Sequence, residues 1–224
     1  TAKLKSHFTL YNSMSFFSKQ LTKDKVYEII LPVAKQIART KEGALFVIGP
    51  SNKFKHLYDP LFPQVLAKCN LKHAGMAKVL EKLATLDGAV IISNEGDLIA
   101  YGVKIKKSIP VPGYGTKHAA AAGITTYVPD SIAVLVSEEI NWVKVFKNGK
   151  IILEMDSEEN PKSMENKIIS FLSEGDTALL TAGGISAAIL GGAAIAPIMI
   201  AGGTYLAIKT ATGIIRKNWN ERRK

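Results

Sequence analysis

Three short segments carry the side chains that could do chemistry. Gly115-Thr116-Lys117-His118 places a small residue, a hydroxyl, a cation and an imidazole in consecutive positions, directly before four alanines at 119–122. An alanine run favours helix. These four residues therefore open a helix, where backbone N–H groups without intrahelical partners and the positive dipole end attract a phosphate. The segment is not a Walker A loop, which requires G-x-x-x-x-G-K followed by Ser or Thr, and its expected role is a looser anion cradle. Asp87 stands ahead of the β-branched run 89–92, and Ser137-Glu138-Glu139 closes the run 132–136. Strand-end carboxylates in an α/β sheet often line a ligand crevice. Taken singly, Asp87 also reads as a cap or turn residue, and Ser137-Glu138-Glu139 as a solvated turn.

The elements that must position these segments read as mixed α and β. Val26, Ile29, Ile30, Val33 and Ile37 recur at helical spacing with Pro32 as a kink or late start, and the strand-like run 44–48 follows Gly43. The pattern repeats: Met76, Val79, Leu80 and Leu83 form a second apolar stripe, Asp87-Gly88 closes it, and 89–92 is a strand. Asn94-Glu95-Gly96-Asp97 predicts a turn joining that strand to 98–103 as a hairpin. A loop over 104–117, bearing Lys104, Lys106, Lys107, two prolines and two glycines, leads to the helix at His118. Strands are expected at 132–136 and 142–146, with Asn148-Gly149 turning into 150–153, and an amphipathic helix over 162–174. The expected fold is α/β, a mixed β-sheet flanked by helices.

Asp87-Gly88-Ala89, Gly115-Thr116-Lys117-His118-Ala119-Ala120 and Ser137-Glu138-Glu139, in this order and followed by Asn148-Gly149, resemble the diadenylate cyclase family, whose domain also occurs in DNA-integrity scanning proteins. The resemblance covers roughly residues 28–152 and includes the leader Lys41-Glu42-Gly43-Ala44-Leu45. It implies a diadenylate cyclase-like domain that condenses two ATP molecules into cyclic di-AMP and pyrophosphate across a face-to-face dimer, with Mg or Mn as the divalent metal. By the same resemblance Asp87 and His118 are catalytic, and Gly88, Ala89, Thr116, Lys117, His118 and Ser137 bind nucleotide. Asp87 and Glu138 hold the metal. Lys117 stands where the family has an arginine, keeping the charge without the bidentate fork, and Ala119 stands where it has a second one. Lys104, Lys106 or Lys107 on the preceding loop are candidates to supply that charge. The alternative reading is a nucleotide-binding sensor or membrane effector on the same fold. His7, His56 and His73 show no ligand spacing.

The 29 basic and 19 acidic side chains give a formal charge of +10, which favours polyanionic partners, although no helix-turn-helix or other nucleic-acid module is present. A single cysteine, Cys69, excludes an internal disulfide and zinc-ribbon classes. The expected organisation is an N-terminal extension (1–24), the nucleotide-binding domain (25–156), an amphipathic helix and linker (157–176), a hydrophobic Gly/Ala-rich helical segment (177–215) and a basic tail (216–224). Between Thr177 and Ile215 the only charge is Lys209, with Pro197 near the middle. This length suits one bilayer span or a helical hairpin. Because no secretory signal opens the chain and the terminus is basic, the expectation is a cytoplasmic homo-oligomer attached to the membrane by a hairpin that keeps both ends inside.

Overall fold

The computed structural model describes residues 20–65, 69–139, 141–157, 162–174 and 199–201. Helix α1 (Lys23–Arg39) leads into β1 (Ala44–Gly49), and a short 3-10 turn (Ser51–Lys53) precedes β2 (Tyr58–Pro60). Helix α2 (Met76–Ala84) then leads into β3 (Ala89–Ser93), which turns into β4 (Leu98–Ile105). Helix α3 (Thr116–Tyr127) is followed by β5 (Ile132–Val136), β6 (Trp142–Lys147), β7 (Lys150–Asp156), helix α4 (Lys162–Glu174) and β8 (Met199–Ala201). The strands form one sheet in the order β2-β4-β3-β1-β5-β6-β7-β8. Among the described residues only β1 and β3 pair in parallel, with Phe46 opposite Val90; every other neighbouring pair is antiparallel.

The sheet is covered on both faces, which explains why β1, β3 and β5 read as unbroken apolar runs rather than alternating ones. Phe46, Ile48, Val90, Ile92, Val134, Val143 and Val145 pack under α1, α2 and α4, against Ile30, Ile37, Leu80 and Leu172. Leu45, Val47, Ile91, Leu135 and Phe146 pack on the opposite side with Ala121, Ala122 and Ile124 of α3. Helix α1 runs through Pro32 without ending there. Pro32 lies on the exposed side, between the buried Leu31 and Val33. Gly123 lets α3 sit on the preceding loop: a Cβ there would lie 2.6 Å from Ser108 Cα.

Most of segment 177–215 lies outside the described residues, as does the basic tail. Where the segment is described, it departs from the helix expected of it: Met199–Ala201 is strand, with Leu153 opposite Ala201 and Met155 opposite Met199. The physical reason is the outer edge of β7, whose unpaired N–H and C=O groups accept an apolar strand readily. Among the described residues no helix is long and apolar enough to cross a membrane.

Candidate functional site

Because β3 runs parallel to β1 and β5 antiparallel to it, the start of β3 and the end of β5 fall at the same edge of the sheet. Asp87 and Ser137-Glu138-Glu139 are therefore brought together at that edge, although fifty residues separate them. Together with Gly113 to His118 and Lys144 they line a cleft of about 390 Å³. A second concavity, of about 380 Å³, continues from it and is lined by Lys41, Glu42, Gly43, Asp87, Lys117 and Glu138.

Each side chain is placed by local chain chemistry. The Asp87 carboxylate is exposed, and its Oδ1 accepts the Gly88 N–H at 2.8 Å. Gly88 has φ of +97°, and a Cβ on it would meet the Val103 backbone N at 2.6 Å, so only glycine lets Asp87 sit this close to β4. Helix α3 begins after Gly115 with no side-chain cap, and the His118 N–H returns to the Gly115 carbonyl at 3.1 Å. The first N–H groups of α3 thus open toward the cleft, an arrangement suited to an anion. Lys117 Nζ donates to Glu138 Oε1, an ion pair that joins α3 to the end of β5. Ser137 is buried, and Ala89 lies in the core under α3 as the first residue of β3.

His118 occupies an unusual setting. Its ring stacks on Tyr114 with centroids 4.3 Å apart and meets the edge of Phe146 at 6.0 Å. Its buried Nε2 has no hydrogen-bond partner. Burial first, and then the positive charge of Lys144, push its pKa down to about 4, so the ring is neutral at neutral pH. Lys144 itself is inward-facing, pairs with Glu154 at 3.1 Å and lies 4.3 Å from the Tyr114 ring centroid. This cluster of Tyr114, Lys144 and Glu154 is not legible as a site in the sequence. The one available signal is a lysine at the centre of the strand run Trp142–Lys147, where alternation places a core residue.

The remaining candidates divide plainly. Thr116, Lys117, His118, Ser137 and Glu138 line the same cleft as Asp87. Lys106 pairs with Asp59 at 2.8 Å, and Lys107 lies over the Tyr127 ring at 5.4 Å. Neither they nor Lys104 belong to the cleft lining. His56 and His73 lie outside it as well. Among the described residues no group of three or more His, Cys, Asp and Glu side chains forms a preassembled metal centre. Three carboxylates, Asp87, Glu138 and Glu139, nevertheless share the cleft with two lysines, a hard-oxygen donor set compatible with Mg or Mn when phosphate oxygens complete the shell.

Comparison with known proteins places this geometry in a family. The family described as DAC, DisA bacterial checkpoint controller nucleotide-binding, matches residues 33–151, more than half of the chain. A diadenylate cyclase of Methanocaldococcus jannaschii is 33% identical over 141 residues, covering 58% of this chain and 45% of that protein. A diadenylate cyclase of Haloferax volcanii is 30% identical over 141 residues, covering 59% of this chain and 52% of that protein. The chain thus spans about half the length of these curated relatives. A solved structure of a hypothetical membrane spanning protein from Bacillus cereus is 23% identical, with a TM-score of 0.47, over 63% of this chain and 68% of that one. The matched span begins in α1, ends in β7 and contains every segment that meets at the cleft: the chain belongs to the DAC family, the DisA-type nucleotide-binding domains.

Proposed function

We propose that the protein is a diadenylate cyclase, condensing two ATP molecules into cyclic di-AMP with release of two pyrophosphates. The observation that carries this reading is the convergence of Asp87, the opening of α3 and Glu138 on one cleft, from three segments distant in sequence. In it the triphosphate lies against the N-terminus of α3, with Thr116 donating its hydroxyl, Lys117 its ammonium and Ser137 its hydroxyl. Gly88 and Ala89 serve the nucleotide site through the backbone: Gly88 holds Asp87 close to β4, and the buried Ala89 anchors the start of β3. Neutral His118 presents an imidazole nitrogen to the same ligand.

Asp87 takes the proton from the ribose 3′-hydroxyl, and the oxygen so formed attacks the α-phosphorus of the other nucleotide. The bond from that phosphorus to the bridging oxygen breaks and pyrophosphate leaves with the electron pair. The same exchange in the opposite sense closes the ring. Since each 3′-oxygen must reach the other nucleotide's phosphorus, two copies of the domain face each other, and a monomer is inactive. Asp87 and Glu138 would hold the divalent cation, which would supply charge neutralisation of the phosphates when bound.

Purified protein incubated with labelled ATP and Mg or Mn tests this directly, with Asp87→Asn as the control that retains the acceptor for the Gly88 N–H. Absence of cyclic di-AMP across protein concentrations overturns it. A second reading, a sensor that binds nucleotide without turnover, is favoured by the engagement of Lys117 with Glu138 and by Ala119. Calorimetry showing ATP or cyclic di-AMP bound without product would establish that reading instead. Attachment to the cytoplasmic face of a membrane through residues 177–215 belongs to this proposal, on the strength of their single charge.

A further inference from the structure

We propose that Lys144 is a phosphate-binding residue of the cleft, its ammonium paired with Glu154 and flanked by the face of Tyr114. The inference rests on the reading of the cleft as a nucleotide site and adds to it a residue that neither the helix opening nor the strand-end carboxylates include.

The position is anomalous by the rules that govern the rest of the strand. On β6, Val143 and Val145 point into the core beneath α1, whereas Phe146 points to the α3 side. Alternation puts Lys144 on the α3 side with Phe146, at a site where every physical preference is for an apolar residue. Its side chain is only 4% exposed and that of Glu154, directly opposite on β7, 9%. Burying such a pair stabilises little: exchange for apolar residues of similar volume is commonly neutral or favourable. Stability alone therefore gives no reason for a lysine here, and departures from local rules concentrate at functional sites.

What distinguishes this pair from an internal brace is where the ammonium sits. Lys144 lines the cleft together with Thr116, Lys117 and Ser137. The Tyr114 ring contacts it from the loop that leads to α3, between Gly113 and Gly115, where an added Cβ would meet nothing within 4 Å. Of the two lysines in the lining, Lys117 is engaged by the exposed Glu138, and His118 is neutral, so the more buried positive charge of the cleft is that of Lys144. A phosphate meeting an ammonium already stripped of water, and already oriented by a carboxylate behind it, loses less in ordering it than it would at a solvated lysine.

The experiment compares ATP with adenosine. Because a lone Lys144→Met would strand the Glu154 charge, the variant is Lys144→Met with Glu154→Gln, checked by thermal unfolding, and affinities are measured by calorimetry beside the unaltered protein. The expected result is a loss of at least tenfold in ATP affinity with adenosine affinity unchanged. Equal losses for both ligands, or no loss for either, overturn the assignment while leaving the nucleotide reading intact. Should the unaltered protein bind neither ligand, that reading falls and this assignment with it. If the double variant fails to fold, lysine side-chain NMR of the unaltered protein decides: ATP but not adenosine should shift the Lys144 ε resonances, and equal responses count against the assignment.

Discussion

Lys117, in the first turn of α3, and Glu138, just beyond the end of β5, form an ion pair across the mouth of the cleft. The two residues are expected to serve different ligands, one a phosphate and the other a metal, yet they engage each other. Under the proposed function, a nucleotide and its cation would have to separate them. Because Glu138 is 59% exposed, the pair adds no more than about 1 kcal/mol to stability. Replacing Lys117 by Met should therefore leave the unfolding midpoint within a few degrees of the parent. It should weaken ATP binding about tenfold, or ~1.4 kcal/mol. Calorimetry and thermal unfolding on the same samples check both halves of the expectation.

Two glycines beside the cleft should behave oppositely when changed to alanine. At Gly88 the new Cβ would strike the Val103 backbone at 2.6 and 2.7 Å, at a φ of +97° that alanine rarely adopts. Neither atom can give way without breaking the β3–β4 ladder. Gly88→Ala should cost more than about 1–3 kcal/mol, the usual range for such backbone strain, and shift the denaturation midpoint accordingly. At Gly43 the Cβ would instead meet the side chain of Glu138. That side chain is flexible, so Gly43→Ala should preserve the fold, displace Glu138 from Lys117, and lower cyclic di-AMP synthesis. Equal loss of stability in the two variants would contradict this account.

The environment of His118 predicts a measurable titration. Burial is the larger cause of its lowered pKa and Lys144 the smaller, so neutralising Lys144 should raise the value while leaving it below 6.5. Histidine ring NMR of the Lys144→Met, Glu154→Gln protein reads this directly. The same shift makes stability depend on pH. The unfolded chain binds a proton at His118 below about 6.5, and the folded chain resists it until about 4. This contribution is therefore fully present above about 6.5 and declines as pH falls through the window between those values. His118→Gln should flatten denaturation midpoints across that window.

The strand runs were legible because sheets buried on both faces leave continuous apolar sequence, as in Ala44–Gly49 and Ile132–Val136. The hairpins were legible from Asn94 to Asp97 and from Asn148-Gly149. The edge strand Tyr58–Pro60 escaped notice because its three residues are polar or partly exposed, and its pairing with β4 is tertiary. Asp87, Thr116 to His118 and Glu138 could be picked out because three short motifs occur together in a recognisable order, although each type alone is ordinary at a strand or helix end. Lys144 could not, since a lysine in a strand reads as solvent-facing until a helix is known to cover that face. Nothing in residues 199–201 distinguished an edge strand from helix, because the choice depends on the free edge of β7 rather than on local sequence.

Residues 177–215 lead to the last prediction. One charge in 39 residues is more apolar surface than a domain of this size can leave in water without aggregating. Among the described residues, β8 pairs with the edge of β7. A bilayer interior would cover an apolar segment of this kind, and Arg216, Lys217, Arg222, Arg223 and Lys224 would add about 1 kcal/mol each at an anionic surface, a part that salt screens. The full chain should therefore sediment with anionic vesicles, high salt should weaken but not abolish that association, and detergent should release it. A chain ending at residue 176 should stay in the supernatant and still bind ATP. Recovery of the full chain as a defined oligomer in the supernatant, without detergent, would show that the segment packs between protein copies instead.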